Sequence, residues 1–200
     1  MKIIGLLGAA ASGKSEAANH LVSKYGAVRY SFAGPLKEIV RRSFDLSDVQ
    51  VYGTQVSKEA VDDRYNVSPR WLLQRIGTEG IRNVFGEDFW WEYLMGQILS
   101  DQPELAVIDD FRFVNETEGF LTLNDGVLGT RVVDIWRMEP PANAEMTSSA
   151  DPGHQSEAEW MKCPHTVLVK PKVWGLVEFF DELDRAAFES GLVPAVRALR

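Results

Sequence analysis

Hydrophobic positions along the chain alternate between short continuous runs and helical stripes. The run Lys2 to Leu7 reads as a buried strand, and Glu16 to Lys24 as the helix after it. Gly26 to Phe32 reads as a second strand. Ala33-Gly34-Pro35 then opens a helix, with the proline tolerated in its first turn. Leu36, Ile39, Val40 and Phe44 recur on that helix at core spacing. Residues 45 to 67 show no clear period; Tyr52 to Gln55 reads as a turn and Lys58 to Arg64 as a short exposed helix. Ser68-Pro69 is a helix start, serine as N-cap and proline at the first helical position. That helix runs through Trp71, Leu72, Leu73, Ile76, Ile81 and Val84. Another covers Phe89 to Leu99, its Trp90, Trp91, Tyr93, Leu94 and Ile98 mostly core.

Leu105 to Asp110 is a strand that ends in two carboxylates. Asn115 to Leu123 follows as a short helix, 124–126 as a turn, and Val127 to Trp136 as a strand. Residues 138 to 153, rich in Pro, Ala, Ser and Asn, have no period; a moving lid and a plain surface loop both fit. Ser156 and Glu159 form a capping box. His165 to Val169 is a last strand, and Val173, Leu176, Val177, Phe180, Leu183 and Ala187 make an amphipathic final helix. Strands alternating with helices predict one three-layer α/β domain over residues 1–200, its sheet mainly parallel.

The first strand leads into Gly8, four residues, then Gly13-Lys14-Ser15: the spacing of a phosphate-binding loop. Glycines let the main chain approach an anion, and the helix N-terminus supplies N–H groups and a favourable dipole. The candidate nucleotide-binding set is Gly8, Ala11, Ser12, Gly13, Lys14, Ser15 and Glu16. Lys14 would reach the donor's terminal phosphates, and Ser15 would ligate Mg²⁺. Asp109, at the end of an apolar strand, fits a Walker-B carboxylate and is the second metal candidate; Asp110 is the other acidic group beside it. Arg112 is placed to meet a phosphate, or to pair with Asp110 or Glu116.

On the helix after Ser68, Gln74, Arg75, Thr78, Glu79 and Arg82 share a polar face, with Gly77 and Gly80 inside it. The face fits a salt-bridged surface, Arg75–Glu79–Arg82, as well as a ligand site. Lys37, likewise, fits a solvated basic face or an acceptor phosphate near the end of strand two.

Net charge is −8 over 200 residues, which argues against sequence-independent nucleic-acid binding. The single cysteine, Cys163, excludes an internal disulfide, fits the reducing cytosol and reads as a small buried apolar residue. The apolar start is too short and too broken by glycine for a signal peptide, and no stretch is long enough to span a bilayer. Six tryptophans leave room for an apolar interface between two copies.

Five blocks together resemble the bacteriophage deoxynucleoside monophosphate kinases, a branch of the P-loop kinases. They are Gly8 to Ser15; Ser31 to Lys37; Ser68-Pro69-Arg70 with Leu73 to Glu79 and Arg82; Val107 to Phe113 with Asn115-Glu116; and His154 to Glu157. The block around Leu73 to Arg82 is the most specific. The resemblance implies phosphoryl transfer from ATP, with Mg²⁺, to a deoxynucleoside 5′-monophosphate, under a substrate cover within residues 45–100 and a lid within 137–155. It moves Lys37, Arg70, Gln74, Arg75, Glu79, Arg82, Asp110 and Arg112 toward acceptor binding. Related kinases bring lid arginines to the transferring phosphate, yet no Lys or Arg lies between Arg137 and Lys162. Arg112 and Arg137, with Lys14, are therefore the catalytic candidates; Arg131 at the lid base is a further choice. Another small-acceptor kinase, such as a dephospho-coenzyme A kinase, is the runner-up. A non-catalytic nucleotide switch is the alternative of another class, and the missing Asn-Lys-x-Asp pattern weighs against a GTPase.

Overall fold

A computed structural model describes residues 1–9, 12–125, 132–139, 159–171 and 175–193. Among these, five strands form one parallel sheet in the order β2-β3-β1-β4-β5. They are β1 (Lys2–Leu7), β2 (Val28–Tyr30), β3 (Leu105–Phe111), β4 (Val133–Met138) and β5 (Val167–Val169). Helices cover both faces, so the layering is the expected α/β one. Helix α1 (Lys14–Tyr25) and the last described helix, α9 (Leu176–Glu189), cover one face. There Ile4, Leu6, Val107, Trp136 and Val169 pack with Ala17, Leu21, Phe179 and Leu183. Helix α8 (Val114–Leu121) covers the other, its Phe120 edge-on to Phe111 at 5.4 Å. Gly5 is what lets Phe111 lie so close: a Cβ there would sit 2.5 Å from the Phe111 ring. Each large side chain fully buried in these layers contributes on the order of 2 kcal/mol.

The described contacts gather into two compact units, Met1–Ser31 with Gly96–Arg200, and Phe32–Met95. The first carries the sheet. The second is helical: α2 (Ala33–Ser43), α3 (Asp48–Tyr52), α4 (Gln55–Glu59), α5 (Pro69–Gln74), a π-helical stretch Arg75–Arg82, α6 (Asn83–Phe85) and the start of α7 (Phe89–Asp101). Ser68 caps α5 as expected, accepting the Trp71 N–H.

Several elements differ from expectation. The second strand is only Val28–Tyr30, because Gly26 takes a left-handed conformation (φ 73°) and caps α1 instead. Residues 45–67 hold two short helices rather than irregular chain, α3 capped by Ser47 and α4 by Thr54. Lys58 to Arg64 is not helical beyond Glu59. Asp62 ends that stretch in a turn, buried and bonded by Arg64 and Gln50, which hold its carboxyl well below the usual range. Ile39 is 45% exposed although Leu36 and Val40 beside it are buried. On α9 the buried stripe is Phe179, Leu183, Ala186 and Ala187; Leu176 and Val177 face solvent. The lid segment beyond Glu139, the capping Ser156 and the start of the strand at 127 lie outside the described residues; Glu159–Lys162 is one 3₁₀ turn.

The largest departure is the π stretch. Its wider i→i+5 turns are rare and cluster at functional sites. At Gly77 the carbonyl accepts the buried Trp90 indole N–H at 3.1 Å. A Cβ on Gly77 would lie 2.5 Å from Leu36 Cδ2. Gly77 is thus seated between an α2 side chain and an α7 side chain, and the glycine is needed for a tertiary reason.

Candidate active site

In the sheet unit, β1 ends at Leu7, level with Arg137 of β4 and Phe111 of β3. The chain then turns through Gly8 and re-enters helix at Lys14. At Gly8 (φ 151°) a Cβ would meet the Met138 carbonyl oxygen at 2.6 Å and Ser12 Oγ at 2.7 Å. Gly13 has φ 89° and ψ 8°, and a Cβ there would meet the Phe179 ring at 2.8 Å. Only glycine suits either position. Gly13 contributes no side-chain cap to α1, and at a helix start an anion can take the place of such a cap. Lys14 Nζ donates to the carbonyls of Gly8 (2.8 Å) and Ala9 (2.5 Å) and to Ser12 Oγ (3.3 Å). Ser12 is buried, whereas Ser15 and Glu16 are exposed at the start of α1. Ala11 lies outside the described residues.

At the carboxyl end of β3 the two aspartates have different partners. Asp109 Oδ2 accepts from Arg29 Nε at 3.0 Å and from Arg29 Nη2, and Arg29 also reaches Asn19 of α1 at 3.1 Å. Asp110 Oδ2 accepts from Ser31 Oγ at 2.8 Å, at the end of β2. The Arg112 main-chain N–H and that of Phe113 donate to Glu116, a buried carboxylate that caps α8. Glu116 thus takes the Arg112 backbone. Arg137 lies 3.0 Å from Glu139, with its guanidinium 5.3 Å from the centre of the Trp160 ring. Cys163 is buried, and burial pushes its thiol up to about 11, so it is an inert core residue as read from composition.

In the helical unit, Lys37 Nζ stands 5.6 Å over the Tyr52 ring, and Tyr52 O–H donates to Glu38 at 2.6 Å. Bonds from Arg41 and Tyr52 bring the Glu38 carboxyl down to about 2. Arg70 reaches Gln55 Oε1 at 3.4 Å and lies 4.0 Å from Glu59. Arg75 pairs with Glu79 and stacks 5.4 Å from Trp71. The first half of the ladder expected over Arg75, Glu79 and Arg82 is thus formed. Arg82 closes the π stretch and is buried to 5% exposure.

Within each unit the structure brings candidates together: Gly8, Ser12, Gly13 and Lys14 in one, Arg70 through Arg82 on one continuous helical run in the other. Sequence reasoning missed Arg29, Ser31, Phe179 and Trp160 as neighbours of the site. Of these only Ser31, in the block Ser31 to Lys37, carried a local signal. The others are partners across long sequence separations.

No family model matches the chain. A protein of Acanthamoeba polyphaga mimivirus carrying the provisional name deoxynucleotide monophosphate kinase is 34% identical over 200 residues, covering 92% of this chain and 94% of its own. The deoxynucleoside-5′-monophosphate kinase of Escherichia phage T5 is 34% identical over 105 residues, which is 52% of this chain and 40% of that protein. Among solved structures, the Thermus thermophilus protein TT1252 overlays with a TM-score of 0.48 at 16% identity, covering 94% of this chain and 96% of its own. With a relative of this identity matched along nearly its whole length, the chain belongs to the deoxynucleoside monophosphate kinase family.

Proposed function

We propose that this chain transfers the γ-phosphate of ATP to a deoxynucleoside 5′-monophosphate, giving the diphosphate and ADP. The observation that carries the reading is the loop from Gly8 to Lys14. Backbone lies there where a Cβ would clash, the helix start has no side-chain cap, and Lys14 is folded over the loop carbonyls. Those features fit a bound phosphate group, and the family supplies the acceptor class.

The proposed division of labour is as follows. Loop N–H groups and Lys14 hold the donor phosphates, with Ala11, Ser12 and Glu16 along the same stretch. Ser15 and Asp109 would hold Mg²⁺, which would neutralise charge on the phosphate oxygens. Arg29 would keep the Asp109 carboxylate oriented. Lys37, Arg70, Arg75, Arg82 and Arg112 serve the acceptor's phosphate and the transferring charge, with Asp110 beside them, held by Ser31. Glu79 and Gln74 suit sugar or base. Arg137 would stand in for a lid arginine. A bond breaks between the γ-phosphorus and its bridging oxygen as one forms to an acceptor phosphate oxygen. No protein atom bonds covalently, so positioning and charge do the catalysis. ATP and deoxynucleotides are cytoplasmic solutes, and the net charge of −8 favours small partners over polynucleotides. No helix among the described residues is long and apolar enough to cross a membrane.

ADP formation from Mg-ATP with each deoxynucleotide, each ribonucleotide and dephospho-coenzyme A tests the reading. Turnover with deoxynucleoside monophosphates is expected; turnover only with dephospho-coenzyme A, or with none, overturns it. In the same assay Arg82→Ala should raise the apparent KM for the acceptor about tenfold or more, as loss of a charged hydrogen bond does, and leave that for ATP unchanged. Arg82 is buried, so the variant should also melt lower, and rates are compared below that point. Equal damage to both KM values would make Arg82 a structural residue only.

A further inference from the structure

Gln74 is the last residue of α5, where α-helical bonding gives way to the π stretch. Its Nε2 is buried and meets no acceptor among the described residues. A buried N–H without a partner is rare in native proteins and calls for an explanation. On the same run Arg75 pairs with Glu79, and Arg70, one turn earlier, reaches Gln55 through Nη1 while its buried Nε lies 4.0 Å from Glu59. Just beyond the junction, Gly77 is fixed by the Trp90 N–H and by Leu36. The helix around Gln74 is therefore seated by packing while its amide is left without an acceptor.

We propose that the Gln74 carboxamide reads the base of the acceptor deoxynucleotide; the inference rests on the function proposed above and selects one residue for one task. The chemistry decides between base and phosphate. A carboxamide is neutral and carries both a donor pair and an acceptor, which matches the edge of a nucleobase. A phosphate dianion calls for the guanidinium and ammonium groups that this unit also supplies. A buried hydrogen-bonding group discriminates strongly, because a ligand that cannot bond leaves it unpaired in a dry site. Trp90 is then a positioning residue, holding the π junction through the Gly77 carbonyl.

Gln74→Met keeps side-chain length and removes both polar atoms. Melting of the free protein and titration with each deoxynucleoside monophosphate and with 2-deoxyribose 5-phosphate test the proposal. The free variant should melt no lower than the parent, since an unsatisfied group has been removed. Affinity for the preferred deoxynucleotide should fall about tenfold or more, discrimination among bases should collapse, and 2-deoxyribose 5-phosphate should bind as before. Unchanged base discrimination would overturn the proposal, as would an equal loss for 2-deoxyribose 5-phosphate, which would place Gln74 on the sugar. A lower melting point with uniformly weaker binding would make Gln74 structural. A parent protein that binds no deoxynucleotide removes the functional reading and this inference with it.

Discussion

Lys14→Ala is expected to lower kcat by about two to three orders of magnitude while leaving the fold intact. The Lys14 ammonium donates within its own loop, to Gly8, Ala9 and Ser12. Donor phosphates would exchange those neutral acceptors for charged ones, and charge-assisted bonds are roughly twice as strong. Charge on the transferring group is greatest in the transition state, so the loss falls on kcat more than on KM. Removing one such preorganised group costs about 3–4 kcal/mol of transition-state stabilisation. Stability should change by only about 1 kcal/mol, because the hydrogen bonds removed are partly exposed and worth little net. Lys14→Arg should not rescue the rate, since a planar fork cannot replace a compact point charge within a tight loop. Initial rates at saturating Mg-ATP, beside a melting curve, check both halves. A variant that folds and turns over at near-parental rate would remove Lys14 from the donor site.

How much of this was legible in the sequence depends on whether the cause was local. β1 was read to the residue, because a strand buried on both faces needs only a continuous apolar run. The Ser68 cap and Pro69 were read correctly because capping involves neighbours three residues apart. Ser47 to Gln50 carries a similar signal, a capping box set amid mixed composition. What escaped is non-local. The π stretch depends on Leu36 and Trp90 converging on Gly77, and a 3.6-residue period cannot announce it. Consequently the polar face follows a wider turn than a 3.6-residue period supposes, and Arg82 on it is buried. Asp109 meets Arg29 from 80 residues away, so its ion pair has no trace in local pattern. Phe179, next to the expected stripe position Phe180, faces Gly13 across a long sequence separation that no local pattern carries.

Phe179 also sets the second large effect. Gly13→Ala should destabilise the sheet unit by about 2–4 kcal/mol and abolish tight triphosphate binding. Two causes act separately. At φ 89° an L-residue is strained, which costs on the order of 1–2 kcal/mol. The new methyl would also sit 2.8 Å from Phe179 Cζ, and that ring is 5% exposed in a packed core, so it has little room to move. A chain of this size loses about 2–4 °C of Tm per kcal/mol, so a drop of roughly 5–15 °C is expected. Relaxation of either strain would re-aim the first N–H groups of α1, and with them the anion cradle. A double-mutant cycle separates the two causes. Phe179→Leu makes room beside residue 13 but leaves φ untouched. The double variant should therefore be less destabilised than the sum of the singles, by the part owed to the ring alone. Strict additivity would mean that backbone strain carries the whole effect and that α9 does not brace the loop. A Gly13→Ala protein with parental Tm and parental ATP affinity would show that the loop tolerates a side chain where the structure leaves no room for one, and the phosphate site would have to be sought elsewhere.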